Sequence, residues 1–417
     1  MDFSQRLEYV EEEGVDVDSD EGFRSITGLA FGLTSETQSQ RLSFNASTNL
    51  ALSLSGDSDS EFEDTLLSLD YARASRNSEL TFGVSYRRDE VDDLVFDAGL
   101  LDDDLTTGDG TREIFGFSSG LVLGREGPIT ATFTQAFERS HFSDVDDPSL
   151  NDSETRAVTG RLSFQASPVL STDAFFSWRE LDEDGLTAID RTTRRFGVGV
   201  GYDISPATSL AAAVFYDDTE SRGATVTETS GIGYSLALAN ARPNGEIRLR
   251  FEQEETINGT RREGLIGRSY TLRRGTLSFD VGLTRTDGFS TETLANVAWD
   301  FALDPLSNIR LELDQTAAVN DDDSEVVNTR FDLSYTRDIT SLSAISAGIE
   351  LADENVIGTS IGDEQSVRFD LTHRYEMTRD WDLVSGFEYS SIDDEGSERR
   401  ERSMLFVGVE RSFGFRP

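Results

Sequence analysis

The sequence predicts an all-β fold: a single transmembrane, antiparallel, up-and-down β-barrel of about 22 strands, with about 20 to 24 as the bounds. Three observations carry this reading. Apolar and polar residues alternate with period two from end to end. The connections alternate between tight turns and longer acidic loops, and aromatic residues mark both ends of the apolar faces.

The alternation is clearest in GEIRLRFEQEE, where Ile247, Leu249 and Phe251 share one face of an extended chain and Arg248, Arg250, Glu252 and Glu254 share the other. Leu80-Phe82-Val84-Tyr86, Phe196-Val198-Val200-Tyr202, Leu277-Phe279-Val281-Leu283, Phe331-Leu333-Tyr335 and Val367-Phe369-Leu371 repeat the pattern. No segment shows the i, i+3, i+4, i+7 stripe of an amphipathic helix, so essentially no helix is expected. In order, the strands fall at 2–9, 22–34, 39–53, 65–74, 78–90, 111–124, 129–141, 154–166, 169–180, 190–203 and 207–217. They continue at 225–240, 245–255, 261–273, 275–286, 290–303, 307–318, 326–337, 341–352, 364–376, 381–391 and 400–415. Between Leu265 and Leu272 the phase breaks, which suggests a bulge.

Even-numbered strands end in tight links, such as Ser205-Pro206, Pro243-Asn244-Gly245 and Asp304-Pro305. Many odd-numbered strands end in longer acidic loops, at 10–21, 91–110, 143–153, 320–325 and 391–398, although the link around Asn258-Gly259 is short. Tyr86, Phe137, Trp178, Tyr216, Phe251 and Tyr389 come late in odd strands, before the loop end. Tyr202, Trp299, Tyr335 and Tyr375 come late in even strands, before the turn end. Strands running alternately up and down would gather these residues into two belts bounding one apolar band.

Composition narrows the function classes. Asp and Glu number 79 against 37 Lys and Arg, a formal net charge of -42, so nucleic acid is a poor partner. Every basic residue besides the two histidines is Arg, and cysteine is absent, which excludes disulfides and thiolate chemistry. Mean hydropathy is -0.39, and no apolar run approaches the ~18 residues of a spanning helix. No signal peptide is visible at Met1, which leaves a cytoplasmic protein or a mature exported one whose leader is gone.

Three architectures fit alternation. A soluble sandwich or barrel uses strands of about 5 to 6 residues and has no need of two aromatic belts. A propeller would show four short strands per repeat and a blade signature. Long strands, unequal ends and aromatic girdles instead match a membrane barrel, which must close because lipid cannot satisfy a sheet edge. The last strand, SMLFVGVERSFGFRP, sets Leu405, Val407, Val409, Phe413 and Phe415 in one phase, interrupted by Arg411 and followed by Arg416-Pro417. It resembles the C-terminal signature of Gram-negative outer-membrane β-barrels, and the whole chain resembles the porin-like members of that class. The resemblance implies recognition of the last strand by the barrel-assembly machinery and an outer-membrane location, in contact with lipid and lipopolysaccharide. It carries over no substrate and no catalytic residue.

Other motifs have bland readings. FGVGVG (Phe196 to Gly201) lies inside a strand, without the helix that a dinucleotide loop opens, so it reads as a smooth inner wall or room to bend. His141 and His373 lie far apart, and no metal site or cofactor is expected. His141, near the loop end, is the only histidine well placed for hydrolytic chemistry, and Ser140 and Asp144 are too common as neighbours to single out an enzyme. None is expected. The acidic runs at 16–21, 102–104 and 321–323 lack the EF-hand spacing and read as a hydrated rim, with loose divalent bridging to lipopolysaccharide as a further option.

If the apolar phase meets lipid, Arg248, Arg250, Glu252, Asp280, Arg310, Glu312, Arg330, Asp332, Arg368, Asp370 and Arg374 face the lumen. They either stiffen the wall as cross-strand ion pairs or select solutes. The stretch from Arg242 to Arg274 holds eight Arg against five Glu, and gathered on one wall it would attract anions. One barrel domain over 1–417 is expected, without an N-terminal plug, because the first strand begins at Asp2. The lumen is then partly filled by the 91–110 loop, or closed by a separate periplasmic or plug partner. The functions that follow are a porin-like channel for hydrophilic and anionic solutes, an export conduit for a polysaccharide or other polymer, or a structural and adhesive barrel.

Overall fold

The computed structural model describes residues 1–13, 21–55, 60–91, 110–145, 150–185, 188–223, 225–320, 323–358, 364–394 and 399–414. Alternation builds one 22-stranded sheet. Its first half comprises β1 (Asp2–Glu13), β2 (Glu21–Glu36), β3 (Gln40–Ser53), β4 (Ser60–Ala74), β5 (Ser78–Glu90), β6 (Thr111–Leu123), β7 (Ile129–Ser143), β8 (Asp152–Ser167), β9 (Leu170–Asp184), β10 (Asp190–Ser205) and β11 (Thr208–Arg222). The second half comprises β12 (Val226–Arg242), β13 (Gly245–Thr256), β14 (Gly259–Leu272), β15 (Gly275–Thr286), β16 (Thr291–Asp304), β17 (Ser307–Val319), β18 (Glu325–Thr340), β19 (Ser343–Val356), β20 (Glu364–Thr378), β21 (Trp381–Asp394) and β22 (Arg400–Ser412).

Each strand pairs antiparallel with its sequence neighbours, and β1 pairs with β22 from Asp2↔Ser412 to Glu13↔Glu401. The sheet is therefore closed, and every edge group has a partner without water. No α-helix forms among the described residues. Every connection after an even strand is short, whereas those after odd strands range from the two-residue link at 257–258 to the longest loops, so the longer loops gather on one rim. The 91–110 loop and most of the acidic runs lie outside the described residues.

Contacts between distant strands decide which face is the lumen. Arg261 on β14 pairs with Glu325 on β18, a reach across three intervening strands that only the interior allows. Alternation from Arg261 turns Leu265 inward, where it is 7% exposed, and Ile266 outward, where it is 54% exposed. Val198, Ile232 and Leu283 are likewise among the most exposed large apolar side chains, all in the outward phase. A closed sheet whose outer face carries so many exposed apolar side chains between its rims fits lipid, because water would penalise every one of them.

The phase break in β14 is not a bulge. Pairing runs without a register shift from Gly245↔Tyr270 to Thr256↔Gly259 on one side and from Arg261↔Thr286 to Leu272↔Gly275 on the other. Single residues have exchanged polarity instead. Leu265 turns inward and lies against Gly282, in a buried cluster with Leu294, Val327 and Ile357. Arg268 turns outward near the turn rim. A charge on the lipid face costs ~2–4 kcal/mol at the midplane but only ~0–1 kcal/mol near an interface, so this depth tolerates it.

This assignment predicts a face-dependent cost of charge. Val198→Arg, on the lipid face, should lower the stability of the barrel refolded in lipid vesicles by ~2–4 kcal/mol, read by urea unfolding. Ala237→Arg, on the lumen face of β12, should lower it far less. Equal losses would contradict the face assignment.

Candidate functional site: the lumen wall and its loop-side mouth

The eleven charged residues expected in the lumen all fall in the inward phase, on two separate walls. On β13, Arg248 stands between Ala239 and Gly267, and its guanidinium crosses to Asp280 on β15 with Nη2–Oδ2 at 2.7 Å. A side chain at 267 would collide with Asp280, so glycine makes this bridge possible. Arg250, between Ala237 and Leu265, is exposed and forms no ion pair among the described residues. Glu252 lies 3.5 Å from Arg195 of β10. Arg248, Arg250 and Asp280 border a shallow cavity of about 310 Å³ whose floor is Gly201, Ala211, Ala237 and Ala239.

The second wall spans β17 to β20. Glu312, Asp332 and Glu350 stand directly opposite one another on three successive strands. Like charges in that arrangement repel. The neighbouring cations relieve this only in part. Arg310 reaches Glu312 at 3.2 Å, Arg368 reaches Glu388 at 2.8 Å, and Arg330 faces Asp314 across the β17–β18 pair. Asp370 pairs in register with Glu388, and Arg374 holds Asp382 at 3.3 Å and Glu410 at 2.7 Å. Arg310, Glu312, Asp332, Glu350 and Asp370 line a cavity of about 410 Å³.

The run from Arg242 to Arg274 does not gather on one wall. Arg248, Arg250 and Arg261 face inward, Arg262 and Arg268 face outward, and Arg273 and Arg274 occupy a turn. Period two divides a linear cluster between opposite sides of the sheet. The glycines of FGVGVG line the interior, while Phe196, Val198 and Val200 face outward. The Phe175 ring lies over Gly197, and Phe215 lies over Gly233, so the bare backbone of β10 and β12 accommodates two lumenal aromatics at 6.5 Å.

The belt residues Tyr86, Phe137, Trp178, Tyr216 and Tyr389 share the outward phase toward the loop rim, and Tyr202, Trp299, Tyr335 and Tyr375 share it toward the turn rim. His141 also faces outward, with Nδ1 2.5 Å from Asp152 Oδ2. Ser140 points to the opposite face and accepts a hydrogen bond from Arg112 at 2.7 Å, so its hydroxyl does not reach His141. His373 bonds Ser343 at 2.8 Å on the outer face, near the turn rim. Among the described residues no group of three or more His, Asp or Glu is placed to hold a metal ion.

What the sequence did not reveal is a polar lock at the loop-side mouth. Asn320 and Asp323 of the β17–β18 connection meet the rim of β10 and β11. Arg191 of β10 pairs with Asp323 at 2.7 Å and donates to the Asn320 carbonyl at 2.5 Å. The Ser221 hydroxyl donates to Asp323, and Asn258 Nδ2 donates to the Asp323 carbonyl at 2.9 Å. Behind them the fully buried Glu325 accepts from Thr286 Oγ1 at 2.6 Å and pairs with Arg261 at 3.2 Å. Arg261 also binds Glu254, which binds Arg195, which binds Asp217, each at 2.6 Å. In a round barrel of this strand number, β10 and β17 would stand on the order of 30 Å apart. The loop-side rim is thus drawn in on one flank.

Breaking a buried pair strands its partner. Arg261→Ala should destabilise by ~3–5 kcal/mol in urea unfolding, because Glu325 keeps only the Thr286 hydroxyl and its Oε2 already lacks a partner. Arg261→Met with Glu325→Leu should recover most of that loss. A double variant as unstable as Arg261→Ala would show that packing, not the stranded charge, dominates.

No family model matches the sequence, and no curated protein matches it. Solved structures match in fold. The siderophore receptor PiuA of Acinetobacter baumannii is 11% identical, with a TM-score of 0.57 over 98% of this chain and 82% of that one. The ferric-catecholate import receptor Fiu of E. coli is 10% identical, with a TM-score of 0.57 over 98% and 81%. A ferric enterobactin receptor of Pseudomonas aeruginosa is 9% identical, with a TM-score of 0.53 over 99% and 81%. These likenesses establish the architecture, a 22-stranded barrel of the outer-membrane type.

Proposed function

We propose that this chain is a transport barrel of the Gram-negative outer membrane, passing hydrophilic solutes through a charged lumen whose loop-side mouth is narrowed by the β17–β18 connection. The observation that carries it is the contrast of faces: an outer surface of exposed apolar side chains around an inner wall of Arg, Asp and Glu. The fold shared with import receptors supports transport over a purely structural or adhesive barrel. Longer loops then face the outside and tight turns face the periplasm.

The wall offers sites of both signs. Arg250 offers an unpaired guanidinium to anions, while Glu312, Asp332 and Glu350 offer an acidic wall to cations. The porin-like reading, with passive passage, requires the lock to leave a residual opening. Export of a polysaccharide, working with a periplasmic partner, requires the lock to release.

Conductance in planar bilayers separates these readings. The wild-type barrel should give small steps, and Arg191→Ala with Asp323→Ala should enlarge them severalfold, since the lock loses its two central charges. A silent wild type that conducts only as this variant supports gated import or export over passive flow. Large steps unchanged by the variant would remove the lock from the pathway, and silence of both would overturn transport.

A further inference from the structure

Two arginines interrupt the apolar phase of their strands, Arg268 in β14 and Arg411 in β22, and both face outward. Arg268 stands between Ile247 and Phe279, and Arg411 between Phe3 and Trp381. Both sit near the turn rim. The Arg268 guanidinium carbon lies 4.8 Å from the Tyr270 ring centroid, and its Nη2 donates to Asn244 at 3.0 Å. The Arg411 guanidinium lies between Trp381 and Phe413, at 5.3 and 4.5 Å. The Nε of each is shielded and has no acceptor, and neither arginine has a carboxylate partner among the described residues.

Outward arginines at the loop rim differ. Arg139 reaches Glu154 at 3.9 Å, Arg156 reaches Glu154 at 2.6 Å, Arg194 reaches Asp218 at 3.0 Å, and Arg262 reaches Asp287 at 2.7 Å. Those four arginines have carboxylates of their own, although Arg285 beside them has none among the described residues. At the turn rim neither Arg268 and Arg411 nor the outward-phase Arg73, Arg242 and Arg337 has an ion pair among the described residues. Arg268 and Arg411 are the ones held against aromatic rings with a shielded Nε. At that depth on a lipid-facing surface, the available anion is a headgroup phosphate. We propose that Arg268 and Arg411 are two binding sites for phospholipid phosphates of the turn-side leaflet. In each, aromatic rings hold the guanidinium at the interface and its remaining N–H groups donate to phosphate oxygens. The inference rests on the barrel standing in a bilayer.

The test titrates the full chain, refolded in neutral detergent, with phosphatidylglycerol and counts bound lipid by native mass spectrometry. Arg268→Gln with Arg411→Gln should bind lipid about tenfold more weakly than wild type. Arg139→Gln with Arg194→Gln should bind as wild type does. If the glutamine pair fails to fold, Arg268→Lys with Arg411→Lys keeps the charge and loses the fork, and should bind less than wild type. Equal binding by wild type and the turn-rim variants overturns the proposal, as does an equal loss in the loop-rim control. Displacement of the lipid by millimolar inorganic phosphate would also overturn it, since the sites would then take a free anion. A chain monodisperse without detergent would refute the bilayer reading itself, before any lipid is added.

Discussion

The rest of the structure depends on one constraint: in lipid, a backbone N–H or C=O can be satisfied only by another backbone group. A sheet meets that demand only when closed, and here β1 meets β22 over the full length of β1. Closure then gives every strand one face toward lipid and one toward the lumen. Because side chains alternate, each strand must carry two compositions interleaved residue by residue. The period-two rhythm is the trace of that demand. It also explains how so acidic a chain can have a membrane-facing surface, since its charges sit on the lumen face and at the rims.

The same reasoning shows what could be read beforehand. The strand count, the absence of helix, the unequal rims and the faces of Arg248, Glu312 or Trp299 follow from local alternation, and local alternation is visible in one dimension. Leu265 and Arg268 read as a bulge in one dimension because a bulge and a pair of exchanged polarities disturb the pattern alike. Register, which requires the partner strands, distinguishes them. The Arg-rich stretch misled for a related reason: proximity in sequence is not proximity on a sheet whose neighbours point opposite ways.

The lock could not be read at all. Arg191 and Asp323 are separated by 132 positions, and nothing in either neighbourhood announces the other. Arg191, Arg195, Asp217, Glu254 and Arg261 are ordinary inward-phase charges. Asp323 lies in a connection, and Glu325 at the strand end shares the phase of the lipid-facing Phe331, so alternation gives no sign of its burial. What distinguishes them is the wall beneath. Small residues such as Gly233 leave room for Phe215 to lie flat, and Arg195 stacks on Phe215 at 4.1 Å while reaching Glu254 on β13. Bare backbone on β10 and β12 thus gives long side chains the reach to connect strands that do not touch.

Burial explains why this connection differs in kind from the ion pairs around the rims. Arg76 with Glu126 in the turns and Arg262 with Asp287 in the loops are exposed, and pairs of that sort contribute ~0–1 kcal/mol each. Arg261 and Glu325 are removed from water, so each holds the other in place: releasing one leaves a buried charge. An exposed pair can exchange partners freely with solvent ions, whereas a buried pair tends to open as a unit. A mouth drawn in by the latter therefore favours discrete closed and open states over a graded one. That is the behaviour a selective transport barrel needs and a simple rigid sieve does not.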